Sequence, residues 1–351
     1  MQVTLADPPA YTPPYDHELA AALARAGADV RLLTSRFRFG ETPAADGYVR
    51  DERLYPLSSR LFRRSRARLP VRALEHIGVL LELARVRSGI LHLQWLAWPQ
   101  LDRRLRLRVP AVFTAHDLLP RRTAQRRALW RELLARFDRV VVHSERGRDT
   151  LAELGADRKR IRVVPHPVFR SDPARADDGR TLLSLGVIRP YKGLDDAIEV
   201  VRRLDGTRLL VAGDPLEPLE RYRQRAGGLD VDWRLGYLPQ AAVDRALGEA
   251  TVALFPYRPE LDQSGALLRA LGAGVPVVAY DVGGIAEPVR RFGAGRVVPA
   301  GDLEALTAAA RELLGDRNAL EAARAGARRA REELTWERSA EAHMALYREL
   351  A

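Results

Sequence analysis

The chain of 351 residues contains no cysteine, two methionines and, among its 57 basic residues, only two lysines. The missing cysteines exclude disulfides, thiolate metal sites and cysteine nucleophiles, and they leave the redox compartment open. No apolar run approaches the length of a membrane span, and no basic segment with a cleavable apolar stretch precedes the first predicted strand. We therefore expect a cytoplasmic protein, and its length predicts two domains that each bury a core.

The net charge of +11 is concentrated in one half of the chain. Residues 1–168 carry 31 basic and 18 acidic side chains, a net charge of +13, whereas residues 169–351 carry 26 and 28, a net charge of −2. The densest basic cluster contains no acid and consists of Arg60, Arg63, Arg64, Arg66, Arg68 and Arg72. Interleaved apolar residues such as Leu69 make this cluster typical of a basic amphipathic element on an anionic membrane.

The same basic cluster has other interpretations. It suits a phosphorylated substrate, and it also suits an arginine-rich face that only meets solvent. Nucleic-acid binding is a further alternative, but the sequence has no recognition motif with interleaved aromatic residues. We therefore expect no nucleic-acid partner.

Both halves of the chain repeat a pattern of apolar strand, turn and amphipathic helix. The pattern predicts strands at residues 3–6, 29–34, 90–95, 111–115, 139–143, 181–185, 208–212, 230–234, 251–256 and 275–280. It predicts helices at residues 17–26 and 194–204, among others. Short apolar runs separated by helices indicate an α/β protein with two doubly wound domains, each a parallel sheet covered on both faces.

The boundary between the domains is expected near His166, which lies between two prolines. The prolines force an extended path, and a charged stretch typical of a surface linker follows them. We therefore predict an N-terminal domain of residues 1–168 and a C-terminal domain of residues 169–334. Residues 335–351 predict a last helix, with Thr335 as its N-cap and an apolar face from Trp336 to Tyr347.

One of the two lysines, Lys192, lies in a turn between a predicted strand and a predicted helix, together with Gly186 and Arg189. A lysine supplies a compact ammonium and an arginine supplies a planar fork, so the two are poorly interchangeable at a phosphate. A turn with both cations at the start of a helix suits a diphosphate. On this segment alone, a solvated lysine at a helix start is an equally good interpretation.

Other polar and glycine residues follow the predicted strands, where ligands bind in open α/β sheets. They are His116, Asp117, Gly213, Asp214, Ser264, Gly265, Gly284 and Glu287. Each has a structural alternative: Ser264 as an N-cap, Gly284 as part of a tight turn and Glu287 as an acid at a helix start. His116 is a candidate general acid or base, although a single histidine at a strand end is more often structural.

The remaining histidines give no metal site. His92 and His143 lie within apolar strands and are expected in the core, whereas His166 faces either a cleft or a turn. No histidine pair has metal-ligand spacing on a helix, and neither a Gly-x-Ser-x-Gly elbow nor a phosphate loop ending in Gly-Lys-Ser/Thr is present.

In this order, the segments resemble the retaining GT-B glycosyltransferases, in particular the family 4-like transferases of group 1. The similar stretches are residues 29–34, 91–95, 109–117, 140–144, 163–166, 186–193 and 251–287. The resemblance implies two Rossmann-like domains facing a cleft, with the first binding the acceptor and the second binding the nucleotide-sugar. It also implies that the last helix crosses back to the first domain.

The resemblance further implies transfer of a hexose from a nucleotide diphosphate-sugar to a polysaccharide, glycolipid or lipid-linked acceptor, with retention and without a metal or other cofactor. Arg189 and Lys192 would stabilise the diphosphate, next to a turn formed by Ser264 and Gly265. The other donor-side residues would be Gly186, Gly213, Asp214, Arg269, Gly284 and Glu287. His116, Asp117 and His166 would line the cleft, and the basic cluster would lie beside the acceptor at the inner face of the cell membrane.

The chain departs from the family where two glutamates usually stand. Alignment places Leu261 and Arg269 at these positions; Glu260 and Asp262 flank the first one, whereas an arginine cannot accept hydrogen bonds from a ribose. Where many relatives have glycine after the histidine, this chain has a proline. A catalytically impaired subunit that binds sugar nucleotides or acts as a scaffold is therefore the alternative. A GT-B epimerase is the other enzymatic alternative, and it would need carboxylates that the sequence does not place.

Overall fold

The computed structural model describes residues 1–60, 68–118, 123–258 and 263–351. The chain forms two compact units: Met1–His166 with Trp336–Ala351, called the first unit here, and Pro167–Thr335, called the second unit. The observed boundary therefore follows residue 166, two residues before the predicted one. Within the described ranges, every helix is too short or too polar to cross a membrane.

The described part of the first unit contains a parallel sheet of seven strands. They are β1 (Gln2–Asp7), β2 (Asp29–Ser35), β3 (Val49–Leu54), β4 (Ile90–Leu93), β5 (Ala111–Thr114), β6 (Arg139–Val142) and β7 (Ile161–Val163). Their order is β3-β2-β1-β4-β5-β6-β7, so the direction of winding reverses between β1 and β4. In open sheets of this kind, the reversal point is where ligands bind.

Helices cover both faces of this sheet, as the doubly wound pattern requires. They are α1 (Pro13–Arg25), α2 (Arg68–Ala84), α3 (Pro99–Asp102), α4 (Arg127–Leu134) and α5 (Glu145–Glu153). Helix α1 begins four residues before the predicted start, because proline fits the first turn of a helix, where its missing N–H costs nothing.

The second unit has the same winding with one strand fewer among its described residues. Its strands are β8 (Thr181–Leu185), β9 (Arg208–Gly213), β10 (Val231–Leu235), β11 (Val252–Phe255), β12 (Val277–Tyr280) and β13 (Gly295–Val298). The order is β10-β9-β8-β11-β12-β13, so the reversal lies between β8 and β11. All of its pairs are parallel.

The helices of the second unit bury its central strands on both faces. They are α6 (Leu194–Arg202), α7 (Glu220–Arg225), α8 (Gln240–Glu249), α9 (Gly265–Gly272), α10 (Ala286–Phe292), α11 (Leu303–Gly315) and α12 (Arg317–Glu333). Every residue of β11 and β12 is buried, which explains why these strands read as continuous apolar runs. Three strands were not predicted: β3 is largely charged, and β7 and β13 have only three and four residues.

The last helix, α13 (Trp336–Arg348), belongs to the first unit and packs against α1. The Tyr347 hydroxyl is hydrogen-bonded to His92 Nδ1 over 2.6 Å, and His92 Nε2 is hydrogen-bonded to the Thr114 hydroxyl over 2.7 Å. All three side chains are buried, so His92 is a core residue that ties α13 to the sheet.

Candidate functional site

Three side chains meet at the reversal point of the second unit. Lys192 Nζ donates a hydrogen bond of 2.7 Å to the Tyr257 hydroxyl and lies 3.9 Å from the centroid of its ring. The Tyr257 hydroxyl shares a second hydrogen bond, of 3.0 Å, with Ser264 Oγ. Burial raises the pKa of Tyr257, so this phenol stays neutral beside the ammonium. The loops after β8 and β11 thus form one polar cluster, called the Lys192 cluster here.

The backbone of these two loops is held together by a glycine. Gly193 has a φ of +69°, and a Cβ added to it would lie 1.9 Å from the Pro256 carbonyl oxygen. The Arg258 N–H donates a hydrogen bond of 2.8 Å to the Tyr191 carbonyl. Because only glycine combines this φ with so close an approach, the position of Lys192 depends on Gly193.

Two further glycines bring the end of β9 to the same edge. A Cβ on Gly213 would lie 1.8 Å from the Gly186 carbonyl oxygen, and one on Gly186 would lie 3.4 Å from the Ala266 side chain. Beyond Gly213, the Asp214 carbonyl accepts a hydrogen bond of 2.8 Å from the Ile188 N–H. The predicted donor residues Gly186, Gly213 and Asp214 are therefore close together.

Ser264 and Gly265 lie at the start of α9. The Ser264 hydroxyl accepts a hydrogen bond of 3.3 Å from the Leu267 N–H, so it acts as the N-cap as well as a partner of Tyr257. Helix α9 is the first helix after β11, and a helix N-terminus favours anions. A hydroxyl, an ammonium and a helix start together suit phosphate oxygens.

The side chain of Arg189, the other predicted cation, is exposed and makes no hydrogen bond or ion pair with the described residues, whereas its carbonyl accepts a hydrogen bond of 2.9 Å from the Lys192 N–H. It precedes the 3₁₀ turn of residues Pro190–Lys192. Lys192 is therefore held in place, whereas Arg189 keeps its five N–H donors available for a ligand.

The remaining two donor candidates follow β12, the strand next to β11. Gly284 is buried, and its carbonyl accepts a hydrogen bond of 3.2 Å from the Glu287 N–H. Glu287 is half-buried in the first turn of α10. Strand order places both residues on the same edge as the Lys192 cluster, one strand further along.

Arg269, at the position of the missing family glutamate, is bound to its own neighbours. Its Nη1 donates a hydrogen bond of 2.8 Å to Gln240 Oε1, and its guanidinium carbon lies 4.6 Å from the centroid of the Phe169 ring. The first family position, Leu261, and its neighbours Glu260 and Asp262 lie outside the described residues. The structure thus gives Arg269 a local role on α9 that a glutamate could not perform in the same way.

His116 follows β5 in the first unit and is buried. Its Nε2 is hydrogen-bonded to Gln94 Oε1 over 2.9 Å, and its Nδ1 lies 3.4 Å from His143 Nε2. Burial, and secondarily the neighbouring His143, lower its pKa well below the ordinary value. The ring is therefore neutral, and its role as a general acid or base stays a prediction.

The other two strand-end histidines join His116 in an aromatic cluster. His143 and His166 have ring centroids 5.0 Å apart, and Tyr15 of α1 lies 4.9 Å from His166. His143 is buried, as expected of a core residue, and its Nδ1 lies 2.9 Å from the Val164 carbonyl oxygen. His166 is also buried, so within the first unit it is a packing residue, whereas Asp117 is exposed.

Two aspartates that the sequence analysis did not single out form a buried carboxyl pair. Asp7 ends β1 and Asp16 lies in α1; the two side chains are hydrogen-bonded, and burial raises the pKa of both. Two neighbouring buried side-chain atoms have no hydrogen-bond partner among the described residues: Tyr15 OH and Gln94 Nε2. The position of Asp7 directly at a strand end is the signal that could have identified it. The same signal applies to Tyr257, two residues after β11.

The described residues of the predicted basic cluster have different surroundings. Arg60 is exposed, whereas Arg63, Arg64 and Arg66 lie outside the described residues, as does the side chain of Arg68 at the start of α2. Arg72 is half-buried, with its guanidinium carbon 4.5 Å from the Tyr55 ring centroid and 5.8 Å from that of Tyr11. Arg72 therefore packs on aromatic rings, and its assignment to a basic cluster beside a membrane or an acceptor stays a prediction.

Among the described residues, no group of three or more His, Asp or Glu side chains is placed to hold a metal ion.

Models of known protein families match both halves of the chain. The family model described as Glycosyltransferase Family 4 matches residues 15–170, and the one described as Glycosyl transferases group 1 matches residues 179–316. Both models describe glycosyltransferases, and together they match most of the chain. The group 1 match contains the Lys192 cluster, whereas the Family 4 match contains the histidine cluster and Asp16 but begins after Asp7.

Individual relatives are similar at moderate identity. The D-inositol 3-phosphate glycosyltransferase of Geodermatophilus obscurus is 31% identical over 72% of this chain, and that of Nocardia farcinica is 31% identical over 61%. The chain spans 63% and 56% of the length of these two relatives. The protein of the same name from Rhodococcus erythropolis is 28% identical over 96% of this chain and 86% of its own length.

Solved structures share the fold. Sucrose-phosphate synthase from Thermosynechococcus elongatus aligns over 100% of this chain and 99% of its own, with a TM-score of 0.75 and 19% identity. HepE of Anabaena, solved with UDP and glucose, aligns over 100% of both chains with a TM-score of 0.73 and 15% identity. The two parallel-sheet, Rossmann-like domains are thus those of the GT-B fold.

Proposed function

We propose that this protein is a glycosyltransferase that moves a hexose from a nucleotide diphosphate-sugar to a saccharide or lipid-linked acceptor, with retention of the anomeric configuration. In this proposal the second unit binds the donor and the first unit binds the acceptor. The nucleotide-sugar is a substrate, and the reaction uses no metal ion or other cofactor. The observation that carries the proposal is the Lys192 cluster at the reversal point of the second sheet.

The donor is proposed to place its diphosphate at the Lys192 cluster. The ammonium of Lys192 is held by Tyr257, and the exposed guanidinium of Arg189 lies three positions earlier in the chain. Ser264 is the N-cap of α9. Negative charge grows on the nucleoside diphosphate as it leaves the sugar, and fixed cations stabilise that charge without needing to reorganise. These groups would supply the charge that a divalent cation supplies in other transferases.

The similar proteins suggest which substrates to test first. HepE was solved with UDP-glucose, so a UDP-sugar is the first proposed donor. Relatives named D-inositol 3-phosphate glycosyltransferase suggest a phosphorylated cyclitol as one acceptor, next to the polysaccharide and lipid-linked acceptors that we propose on the family resemblance. We place the reaction in the cytoplasm.

Thermal unfolding in the presence of UDP-, GDP-, ADP- and dTDP-sugars tests the donor site. A ligand at 100 times its dissociation constant stabilises the folded state by about 2.7 kcal/mol. We expect a rise in the melting temperature with one nucleotide, and we expect the Arg189→Ala, Lys192→Ala double variant to lose it. Lys159→Ala, which changes the other lysine of the chain, should keep the rise. The absence of a rise in melting temperature with any of these nucleotide-sugars would contradict the proposed donor site.

A second candidate function is a catalytically impaired subunit that binds sugar nucleotides or acts as a scaffold. It is favoured by Arg269, because this side chain is bonded to Gln240 where the family usually has a glutamate. The two candidates differ in slow donor hydrolysis without acceptor: the transferase should release free sugar, and the scaffold should not. Binding of a nucleotide without hydrolysis or transfer would favour the scaffold.

We also propose that the first unit lies on an anionic membrane surface through α2. Four large apolar side chains of this helix are exposed to solvent: Leu69 at 48%, Leu74 at 74%, Ile77 at 58% and Leu81 at 57%. Arginines lie before this helix, and Arg85 and Arg87 follow it. An apolar helix face between basic segments fits the boundary between acyl chains and anionic headgroups.

Co-sedimentation with vesicles tests the membrane proposal. Wild-type protein should bind vesicles that contain phosphatidylglycerol, and the Leu74→Ser, Leu81→Ser double variant should bind several-fold less. Val49→Ser is the matched control, because Val49 is 62% exposed elsewhere in the first unit. Equal binding by the wild type and the double variant would assign the exposed face of α2 to another partner.

A further inference from the structure

Two aromatic side chains form a corner at the reversal point of the first sheet. Tyr11 follows β1 and is 52% exposed, and Trp95 follows β4 and is half-buried. Their ring centroids are 5.3 Å apart and the ring planes meet at 81°. We propose that this Tyr11–Trp95 corner is a binding subsite for the six-membered ring of a saccharide or cyclitol. The proposal deepens the proposed function, because that ring would belong to the acceptor.

The position of the corner argues for a ligand. Strands β1 and β4 are neighbours, and the winding of the sheet reverses between them. Loops at the carboxyl ends of such strands diverge, and ligands bind in the space that they leave. The Lys192 cluster of the second unit occupies the equivalent point between β8 and β11. The corner is therefore the counterpart, in the first sheet, of the proposed donor site in the second.

Trp95 is fixed before any ligand binds. Its ring stacks on His116, with centroids 5.2 Å apart and ring planes 19° from parallel. Its Nε1 donates a hydrogen bond of 2.9 Å to the Thr12 hydroxyl. A ring held in this way loses little conformational entropy when a ligand stacks on it, which favours binding. The buried, neutral His116 thus acquires a role as a positioning residue beneath Trp95.

Thr12 is anchored in turn by the buried carboxyl pair. Its N–H donates a hydrogen bond of 3.0 Å to Asp7 Oδ2, and its hydroxyl donates one of 3.4 Å to Asp16 Oδ2. The chain of hydrogen bonds therefore runs from the indole of Trp95 through Thr12 to Asp16. Keeping two carboxyl groups and the unpartnered Gln94 Nε2 in a buried place costs free energy, and such costs concentrate at functional sites.

Tyr11 is held although it is half exposed. The guanidinium of Arg72 lies over its ring at 5.8 Å and over the ring of Tyr55 at 4.5 Å, and cation–π attraction fixes the ring in this position. An exposed tyrosine on a loop would normally move freely, so this support indicates a surface prepared for contact. Arg72 also gives the corner a positive charge.

A sugar or cyclitol ring matches this surface better than other ligands do. The C–H groups on one face of such a ring are apolar and slightly positive, and they pack on the negative face of an aromatic ring. Its hydroxyls remain free for polar groups such as the exposed carboxylate of Asp117. Two rings at nearly a right angle can contact the face and the edge of one saccharide ring. A flat base would use the face of a single ring.

Saturation-transfer NMR on the full-length protein tests the inference directly. The probes are methyl α-glucoside, methyl α-mannoside and myo-inositol, each titrated without nucleotide. We expect at least one probe to receive saturation on its ring C–H protons. Tyr11→Leu and Trp95→Leu should each raise its dissociation constant about fivefold or more, on the scale of one lost aromatic stacking contact.

Two further variants separate stacking from folding. Tyr11→Phe keeps the ring and should bind like the wild type. Phe39→Leu, the matched control, removes a ring that is 40% exposed elsewhere in the first unit and should also bind like the wild type. Tyr11→Leu should keep the wild-type melting temperature, since its side chain is half exposed. Absence of saturation with all three probes, or dissociation constants unchanged in Tyr11→Leu and Trp95→Leu, would overturn the inference.

The outcome is independent of the donor proposal. The melting-temperature rise with nucleotide should be unchanged in Tyr11→Leu, because Tyr11 lies in the first unit. Failure of the donor proposal would instead appear as no rise in the wild type, whatever the sugar probes do.

Discussion

The Lys192 ammonium lies 2.7 Å from the Tyr257 hydroxyl and 3.9 Å from the centroid of the Tyr257 ring, so one phenol holds this cation by a hydrogen bond and by its π face. The two residues are separated by 65 positions in the chain. Their contact joins the loops after β8 and β11. It fixes a flexible lysine at the point where the second sheet reverses, and a fixed cation is more useful to a charged transition state than a mobile one.

Replacement of this lysine should impair transfer far more than folding. We expect Lys192→Ala to lower kcat/KM by roughly 10²-fold or more, on the scale of losing one group that stabilises transition-state charge. The melting temperature should change little, because Lys192 is only half-buried. Lys159→Ala is the matched control, since Lys159 is exposed in the first unit. Wild-type kcat/KM in Lys192→Ala would contradict the donor-site assignment.

Substitution of Gly193 should disturb both stability and nucleotide binding. Gly193 and Gly274 have nearly the same φ, +69° and +72°, but an added Cβ would meet the Pro256 carbonyl at Gly193 and nothing within 4 Å at Gly274. Gly274→Ala should cost about 1–2 kcal/mol of unfolding free energy from its left-handed backbone. Gly193→Ala should cost about 1–3 kcal/mol more, from the clash. Equal losses in urea unfolding would show that the two loops separate easily.

The buried histidines of the first unit should make the protein less stable in mild acid. Burial lowers the pKa of His143 to about 3 and that of His343 to about 4. As pH falls from 6.5, the unfolded chain binds protons that the folded chain does not bind until its lower pKa is reached. The unfolding free energy should therefore fall by up to about 1.4 kcal/mol per pH unit for each such histidine.

The carboxyl pair acts in the opposite direction in the same range of pH. Because the pKa of Asp7 and that of Asp16 are raised, the folded state keeps a proton that the unfolded state releases above pH 3.8, and the stability from this proton is lost as pH rises. Comparison of the wild type with His343→Gln cancels this contribution. Urea unfolding between pH 4.5 and 6.5 should give a smaller pH slope in the variant; an equal slope would contradict the lowered pKa of His343.

A chelator should leave transfer unaffected. The proposed donor site neutralises the diphosphate with Lys192, Arg189 and the start of α9, so a divalent cation is not needed for charge balance. We expect turnover in excess EDTA to stay within about twofold of the untreated rate. A loss that Mg²⁺ or Mn²⁺ restores would show that the second unit recruits a metal ion to the diphosphate.

Much of the fold could be predicted from local sequence pattern. Strand β8 is observed at the predicted residues, because a short run with three leucines and a turn signal on each side leaves little freedom in placement. The last helix shows its predicted buried face, since its period is that of an α-helix. Strand β3 was not predicted, because a charged edge strand without a buried face shows no alternation of apolar and polar residues.

Within the candidate site, the loops and the types of residue could be predicted from the sequence, but the side chains that they contact could not. Lys192 and Ser264 were recognisable as residues after a strand and before a helix, whereas the tyrosine between them was not. His116 shows the opposite case. A histidine after a strand predicts proton chemistry, and only the structure shows that this one is buried, neutral and hydrogen-bonded to Gln94.

The sequence by itself determined two doubly wound domains, their approximate boundary and the turn that carries Lys192, because periodicity, glycines and strand ends are local properties of the chain. Only the tertiary structure decided that Tyr257 holds Lys192, that Asp7 and Asp16 share a buried site, and that Tyr11 meets Trp95 in a corner. These contacts join residues that are distant in the chain or adjacent only through strand order. Burial and distance set their charge and geometry, and neither quantity can be read from neighbouring residues alone.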